Sequence, residues 1–168
     1  LVMIADPAAA LDGTEEGMLF GIIAGRNVLS RLSEDKALLL KMKARLEKDG
    51  RVALLEAIPS LSARLSDFSS PSLRDKLAEC EKRIYSKDNP LTSWGKDELE
   101  KAVRDVFDGA VIEYVDDKED RLLSRAALEA FYRNSYSDSG IGEEDFVREF
   151  ENRTVKWSNT VAVIRYGF

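Results

Sequence analysis

The chain has no histidine among its 168 residues. That removes the Ser-His-Asp and Cys-His triads, the imidazole general base and the commonest metal ligand. An enzyme built on it would have to work through carboxylates, lysine, tyrosine or serine. Cysteine occurs once, at Cys80, which excludes an internal disulfide and fits a reducing cytoplasm. No long hydrophobic run is present: "GMLFGIIAG" (17–25) is nine residues, against roughly 20 needed to span a bilayer. The first residues lack the basic segment and apolar core of a signal peptide. Leu1-Val2 ahead of Met3 reads as an added pair before a native start, although an internal fragment would look the same. Also missing are low-complexity sequence, internal repeats and any phosphate-cradling G-x-x-x-x-G-K-[ST] stretch, so nucleotide hydrolysis by this chain alone is excluded.

What is present is an ordinary globular composition, with 44% apolar and 33% charged residues. At this length a chain buries roughly two-thirds of its unfolded surface and folds without a metal or a disulfide. The net charge of −6 is unevenly placed. Residues 1–90 hold 14 acids and 14 bases, whereas residues 91–168 hold 17 acids and 11 bases.

The periodicity predicts a mainly α protein with a small β component. Helices are expected over 15–32, with Thr14 as cap, and from about residue 34 to Gly50, with Leu39, Met42 and Leu46 on one face. "RVALLEAI" reads as a short helical piece stopped at Pro59. Ser70 followed by Pro71 marks a further helix start, with Leu73, Leu77, Cys80 and Ile84 inward. The stretch "YSKDNPLTS" breaks the pattern and sets a boundary between a helical bundle over 1–88 and a second domain over 91–168.

In that second domain "KDELEKAVRDVFDG" predicts an amphipathic helix and "AVIEYVDD" an alternating strand. Ser124 caps another helix, "YSDSGIG" is a turn and "EEDFVREFEN" a short helix. The closing "TVKWSNTVAVIRYGF" reads as a hairpin about Ser158-Asn159. This order of helix, strand, helix, turn, helix and two strands resembles the winged-helix superfamily over residues 94–168, by element order and length and by no sequence fingerprint. The resemblance implies that the last hairpin is the wing and that the helix over 142–152 is the one a DNA-binding relative would place in the major groove.

That helix argues against reading DNA. It carries Glu143, Glu144, Asp145, Glu149 and Glu151 against the single Arg148, and affinity for a duplex comes largely from Lys and Arg on phosphates. Arg153, Lys156 and Arg165 on the wing do not offset it. The expected function is therefore a non-enzymatic protein–protein interaction module, an adaptor, regulator or assembly subunit, without cofactor or metal and facing a basic partner. Its expected partner-binding residues are Glu143, Glu144, Asp145, Arg148, Glu149, Lys156 and Trp157. The alternative is a DNA-associated regulator or replication component touching the backbone through the wing. Ranked last is a carboxylate–metal enzyme built on "DDKED" (116–120) and "EED" (143–145).

Gly17, Gly21 and Gly25, four apart, would share one helix face. Each costs a helix roughly 0.8–1 kcal/mol relative to alanine, so close helix–helix approach, and with it a homodimer, is expected there. "NSYSDSGIGEED" fails as a calcium loop in both registers, because one places Tyr136 and the other Phe146 at a ligand position. "LVMIADP" looks like a strand ending in an acid. Cys80 reads as a buried structural thiol. Three observations separate the functional classes. A protein-binding module predicts an exposed apolar patch rimmed by acids. DNA binding predicts a continuous basic surface, and a metal enzyme predicts three converging carboxylates.

Overall fold

The computed structural model describes residues 7–15, 17–29 and 36–168. In chain order the elements are α1 (Pro7–Asp12), β1 (Phe20–Arg26), α2 (Lys36–Ala44), β2 (Leu46–Ala57), α3 (Pro71–Ile84), α4 (Lys96–Val106), β3 (Val111–Leu122), α5 (Arg125–Phe131), α6 (Glu143–Phe150) and β4 (Thr154–Tyr166). Two 3-10 turns, Pro59–Leu61 and Leu65–Phe68, lie between β2 and α3, and a π turn over Tyr132–Tyr136 continues α5. The strands form one mixed sheet in the order β1-β2-β4-β3, with β1 parallel to β2 and β4 antiparallel to β2.

The expectation of an N-terminal helical bundle followed by a winged helix is overturned. The described part of the first half supplies a parallel strand pair joined through α2, an α/β arrangement. "GMLFGIIAG" contains β1, and "RVALLEAI" is the second part of β2. The closing segment is one strand of 13 residues. Ser158 and Asn159 make no turn, and among the described residues the non-glycine ones with positive φ are Asn27 and Asn152 instead. Without a hairpin there is no wing. The "LVMIADP" strand, apart from Pro7 in α1, and the part of the first expected helix over 30–32 lie outside the described residues.

The compact units do not follow a single cut in the chain. One comprises residues 1–58, 94–115 and 160–168; the other comprises 59–93 and 116–159. Each has its own core.

In the first unit, Val52, Leu54 and Ile58 of β2 and its end face one way, with Ala162 and Ile164 of β4. Against them pack Leu38, Leu39 and Met42 of α2 and Leu99, Val103 and Val106 of α4. Leu11 of α1 and Ile112 and Tyr114 of β3 border the same cluster. Lys36 pairs with Asp105 at 3.0 Å, joining α2 to α4.

In the second unit α3, α5, α6 and the neighbouring strand segments enclose Leu77, Leu128, Phe146, Val147, Phe150 and Val155. Here the sequence reading of helix starts holds. Pro71 sits at the first turn of α3 behind Ser70, and the Ser124 hydroxyl accepts from the Ala127 amide at the head of α5, where helix donors otherwise lack partners.

Candidate interaction surfaces

The alternation of a strand sends successive side chains to opposite faces, so the core of the first unit fixes what lies on the other side of its sheet. The register pairs Arg26 with Leu55, Leu55 with Val163, and Ala57 with Val161, and cross-strand partners share a face. Ile22 and Ala24 of β1 belong to that face. So do Val111, Glu113 and Val115 of β3, which alternate with the inward Ile112 and Tyr114 and join it through the Arg165–Glu113 ion pair at 2.5 Å. Four apolar members are open to solvent, Ile22 at 58% exposed, Leu55 at 42%, Val111 at 50% and Val115 at 51%, while Val161 and Val163 are half-buried. The helices α1, α2 and α4 all contribute to the opposite face. Exposed apolar residues thus share this face, but the charges among them are mostly arginines and not the rim of acids that was expected of a protein-binding module.

A buried carboxylate shapes one end of this sheet. Glu56, 1% exposed, accepts hydrogen bonds from the backbone N–H groups of Val28 (3.0 Å) and Leu29 (3.2 Å) in the segment following β1. Asn27, at φ +51°, accepts from the Ala57 amide through its side chain, at 3.0 Å, and donates its own amide to the Leu55 carbonyl at 2.8 Å. The first two contacts give the buried Glu56 carboxylate the hydrogen-bond donors that a buried polar group requires.

The sequence-predicted residues fall in different places. Gly17 occupies a turn at φ +82°, while Gly21 and Gly25 lie on β1, so the helix face that was to unite the three does not exist. Gly25 points inward, where a Cβ would stand 2.8 Å from Val28 Cγ1 and 3.4 Å from Leu54 Cδ2. Glu143, Glu144, Asp145, Arg148 and Glu149 are on α6 as expected, yet its acids are not bare. Arg133 pairs with Glu143 at 3.2 Å and Arg125 with Glu144 at 2.6 Å. Arg148 pairs with Asp145 at 3.3 Å and Arg153 with Glu149 at 3.1 Å. Glu149 also accepts from the Ser70 amide at 2.5 Å, which anchors the start of α3. Exposed pairs of this kind stabilise little, but they offset most of the charge the bare helix would show.

Asp145, Arg148 and Glu149 share a shallow groove of about 400 Å³ with Ser72, Lys76 and Ile141. Lys156 is exposed on β4. Trp157 is held by packing: its ring lies 5.6 Å from Phe68 and 4.8 Å from the Arg121 guanidinium, and its Nε1–H donates to Asn159 Oδ1 at 3.1 Å. Arg153 also donates to the Phe68 carbonyl at 2.7 Å.

Sequence reasoning missed a buried polar network in the second unit. Glu81 on α3, 4% exposed, accepts from the Ser66 amide at 3.1 Å, from the Ser66 hydroxyl and from the Tyr136 hydroxyl at 2.9 Å. Burial, then the charge of Glu81 and the bond to it, push the Tyr136 hydroxyl far above the ordinary tyrosine range. Burial likewise raises Tyr85, against the opposing effect of the Arg64 guanidinium over its ring. Burial raises the Cys80 thiol too, keeping it protonated and unreactive at neutral pH. Among the described residues no three carboxylate or thiol groups gather as metal ligands, and no described helix is long and apolar enough to cross a membrane.

No family model and no curated protein matches the chain. Among solved structures, one similar chain is the crystal structure of a candidate methyltransferase from Bacillus halodurans C-125. It has 8% identity and a TM-score of 0.45, over 90% of this chain and 66% of that one. This chain therefore spans slightly less than two-thirds of that protein's length. The expectation of a non-enzymatic chain is withdrawn, because it leaned on a bundle and a winged helix that are absent. At that identity and TM-score no activity passes from one to the other.

Proposed function

We propose that this chain works as an assembly subunit in the cytoplasm, binding another protein through the uncovered face of its four-stranded sheet. The observation that carries the reading is the apolar face of Ile22, Leu55, Val111, Val115, Val161 and Val163, on a sheet whose unit packs its own helices α1, α2 and α4 on the other side. A sheet with antiparallel pairing can leave a polar face to solvent, but the exposed residues here are largely apolar. Exposed apolar patches beyond roughly a few hundred Å² mark interaction sites in soluble proteins. The buried thiol of Cys80 suits the reducing compartment. The acidic surface of α6, with Lys156 beside Trp157 on β4, is a secondary contact in this reading, although its arginine pairs weaken its attraction for a basic partner.

The test is site-specific photo-crosslinking in cells. A photoreactive residue replaces Leu55 or Val163 on the open face, or Lys101 on the exposed side of α4. The expected result is one discrete adduct from positions 55 and 163 and none from 101. Equal labelling from all three positions, or no adduct from the sheet, would refute the proposal.

A further inference from the structure

The open face has a charge of its own. Arg26, Arg51 and Arg165 lie on it and Glu113 is its one described acid, so it is locally cationic in a chain of net charge −6. Its relief is uneven as well. Ala24 pairs with Ala53, and Ala53 with Arg165. The two alanines form a low step between Ile22 and Arg51 on one side and Arg26, Leu55 and Val163 on the other, with Arg165 standing at its β4 end. Small side chains let a second backbone approach closely, and in α/β folds the layer that covers such a sheet is helical.

We infer that the face binds an amphipathic helix of a partner protein, with an apolar stripe over the alanine row and glutamate or aspartate flanks meeting Arg26 and Arg51. This rests on the protein-binding reading above and names the chemistry of the partner. A second copy of the chain is the poorer occupant, because a two-fold contact would set the arginines of one face against those of the other. A strand added at the β1 edge would leave the apolar face uncovered.

The experiment uses the full chain and two labelled synthetic peptides of about 18 residues, five helical turns. Both carry the same leucine stripe, one flanked by glutamate and the other by lysine. Fluorescence anisotropy should show the glutamate peptide binding about three- to tenfold more tightly at low salt, as two partly exposed ion pairs allow. That preference should shrink near 0.5 M salt, where the Debye length falls to about 4 Å. The double variant Arg26→Glu/Arg51→Glu should reverse it, and Val163→Asp should abolish binding of both peptides. Far-UV circular dichroism checks that each variant folds, and Lys101→Glu serves as a charge control that leaves the preference intact.

Equal binding of the two peptides, or a preference indifferent to Arg26→Glu/Arg51→Glu, would overturn the inference. So would a dimer by light scattering that Val163→Asp dissolves, since a second copy would then occupy the face. Crosslinks from positions 55 and 163 without a peptide preference would keep the protein-binding reading and remove the acidic helix. Loss of those crosslinks would remove both.

Discussion

Removing the Glu81 carboxylate should be among the most damaging single changes in the second unit, and its cost can be worked from its partners. Three donors point at it, the Ser66 amide, the Ser66 hydroxyl and the Tyr136 hydroxyl, and Ser66 and Tyr136 are themselves 8% and 5% exposed. Glu81→Leu leaves these donors buried without an acceptor, at about 1–3 kcal/mol each before relaxation. It also relieves the desolvation of a buried carboxylate, a cost of several kcal/mol. The expected net loss is about 3–4 kcal/mol, because breaking a satisfied buried network by removing one member costs about 3–5 kcal/mol. Glu81→Gln should cost less, about 1–2 kcal/mol, since it keeps one acceptor oxygen and a hydroxyl facing its amide group can turn to accept. Tyr136→Phe should cost a similar amount.

Urea unfolding is the assay, followed through Trp157 in a Trp94→Phe background, because Trp157 packs beside the second core and Trp94 lies in the first. The double variant Glu81→Leu/Tyr136→Phe should fall short of the sum of its parts by about 1–2 kcal/mol, as neighbours in one network do. An unchanged or higher midpoint for Glu81→Leu at constant m-value would refute the reasoning. It would mean that desolvation of the carboxylate outweighs its hydrogen bonds.

Alkaline pH provides a second check. The hydroxyls of Tyr85, Tyr114 and Tyr136 all titrate above the ordinary tyrosine value in the folded chain, chiefly through burial. A raised folded pKa contributes stability that is complete below the unfolded value of about 10 and is lost as pH rises beyond it. The share of tyrosinate absorbance at 295 nm that these three contribute should therefore appear in step with loss of the far-UV signal, and its appearance near pH 10 without unfolding would contradict the burial described. At Gly50, where β1–β2 pairing skips residues, a Cβ would stand 2.7 Å from Leu46 Cγ and 3.0 Å from the Glu47 backbone nitrogen and oxygen. Gly50→Ala should cost about 1–3 kcal/mol, as overpacking does, and a thermal midpoint within about 1 °C of the parent would show that the strand irregularity yields freely.

The sequence revealed the helices more readily than the sheet, for reasons visible in particular residues. The Ser70-Pro71 start, the apolar spacing of α4 and the Ser124 cap are local signals, and each held. β1 is a short apolar run of the kind that periodicity cannot assign to helix or strand. In β2 the alternation exists, but a carboxylate disguises it. Val52, Leu54 and Ile58 face the core with Glu56 among them, whereas Leu55 faces outward, so polar and apolar appear exchanged. That exchange was also the legible trace of the open face, since a leucine sent outward beside a glutamate sent inward needs a cause on each side. For β4, Ser158-Asn159 imitates a turn, yet pairing along Val161–Tyr166 with β2 belongs to a strand already under way. The acidity of α6 was read correctly as composition. Its arginine partners come from residues 125, 133 and 153 as well as from the helix, and a charge count along one segment does not see them.

The Glu56 contact has a consequence for how this protein can vary between species. Its two described donors are main-chain amides, which every amino acid except proline supplies. Residues 28 and 29 are therefore free, on this account, to change identity without a matching change at 56. Position 56 itself admits few side chains that can accept from two amides at that reach. An alignment of relatives should accordingly show proline missing from both donor positions, and changes at 28 and 29 that do not track the residue at 56. The share of the contact carried by the main chain would then leave no paired signature in sequence statistics.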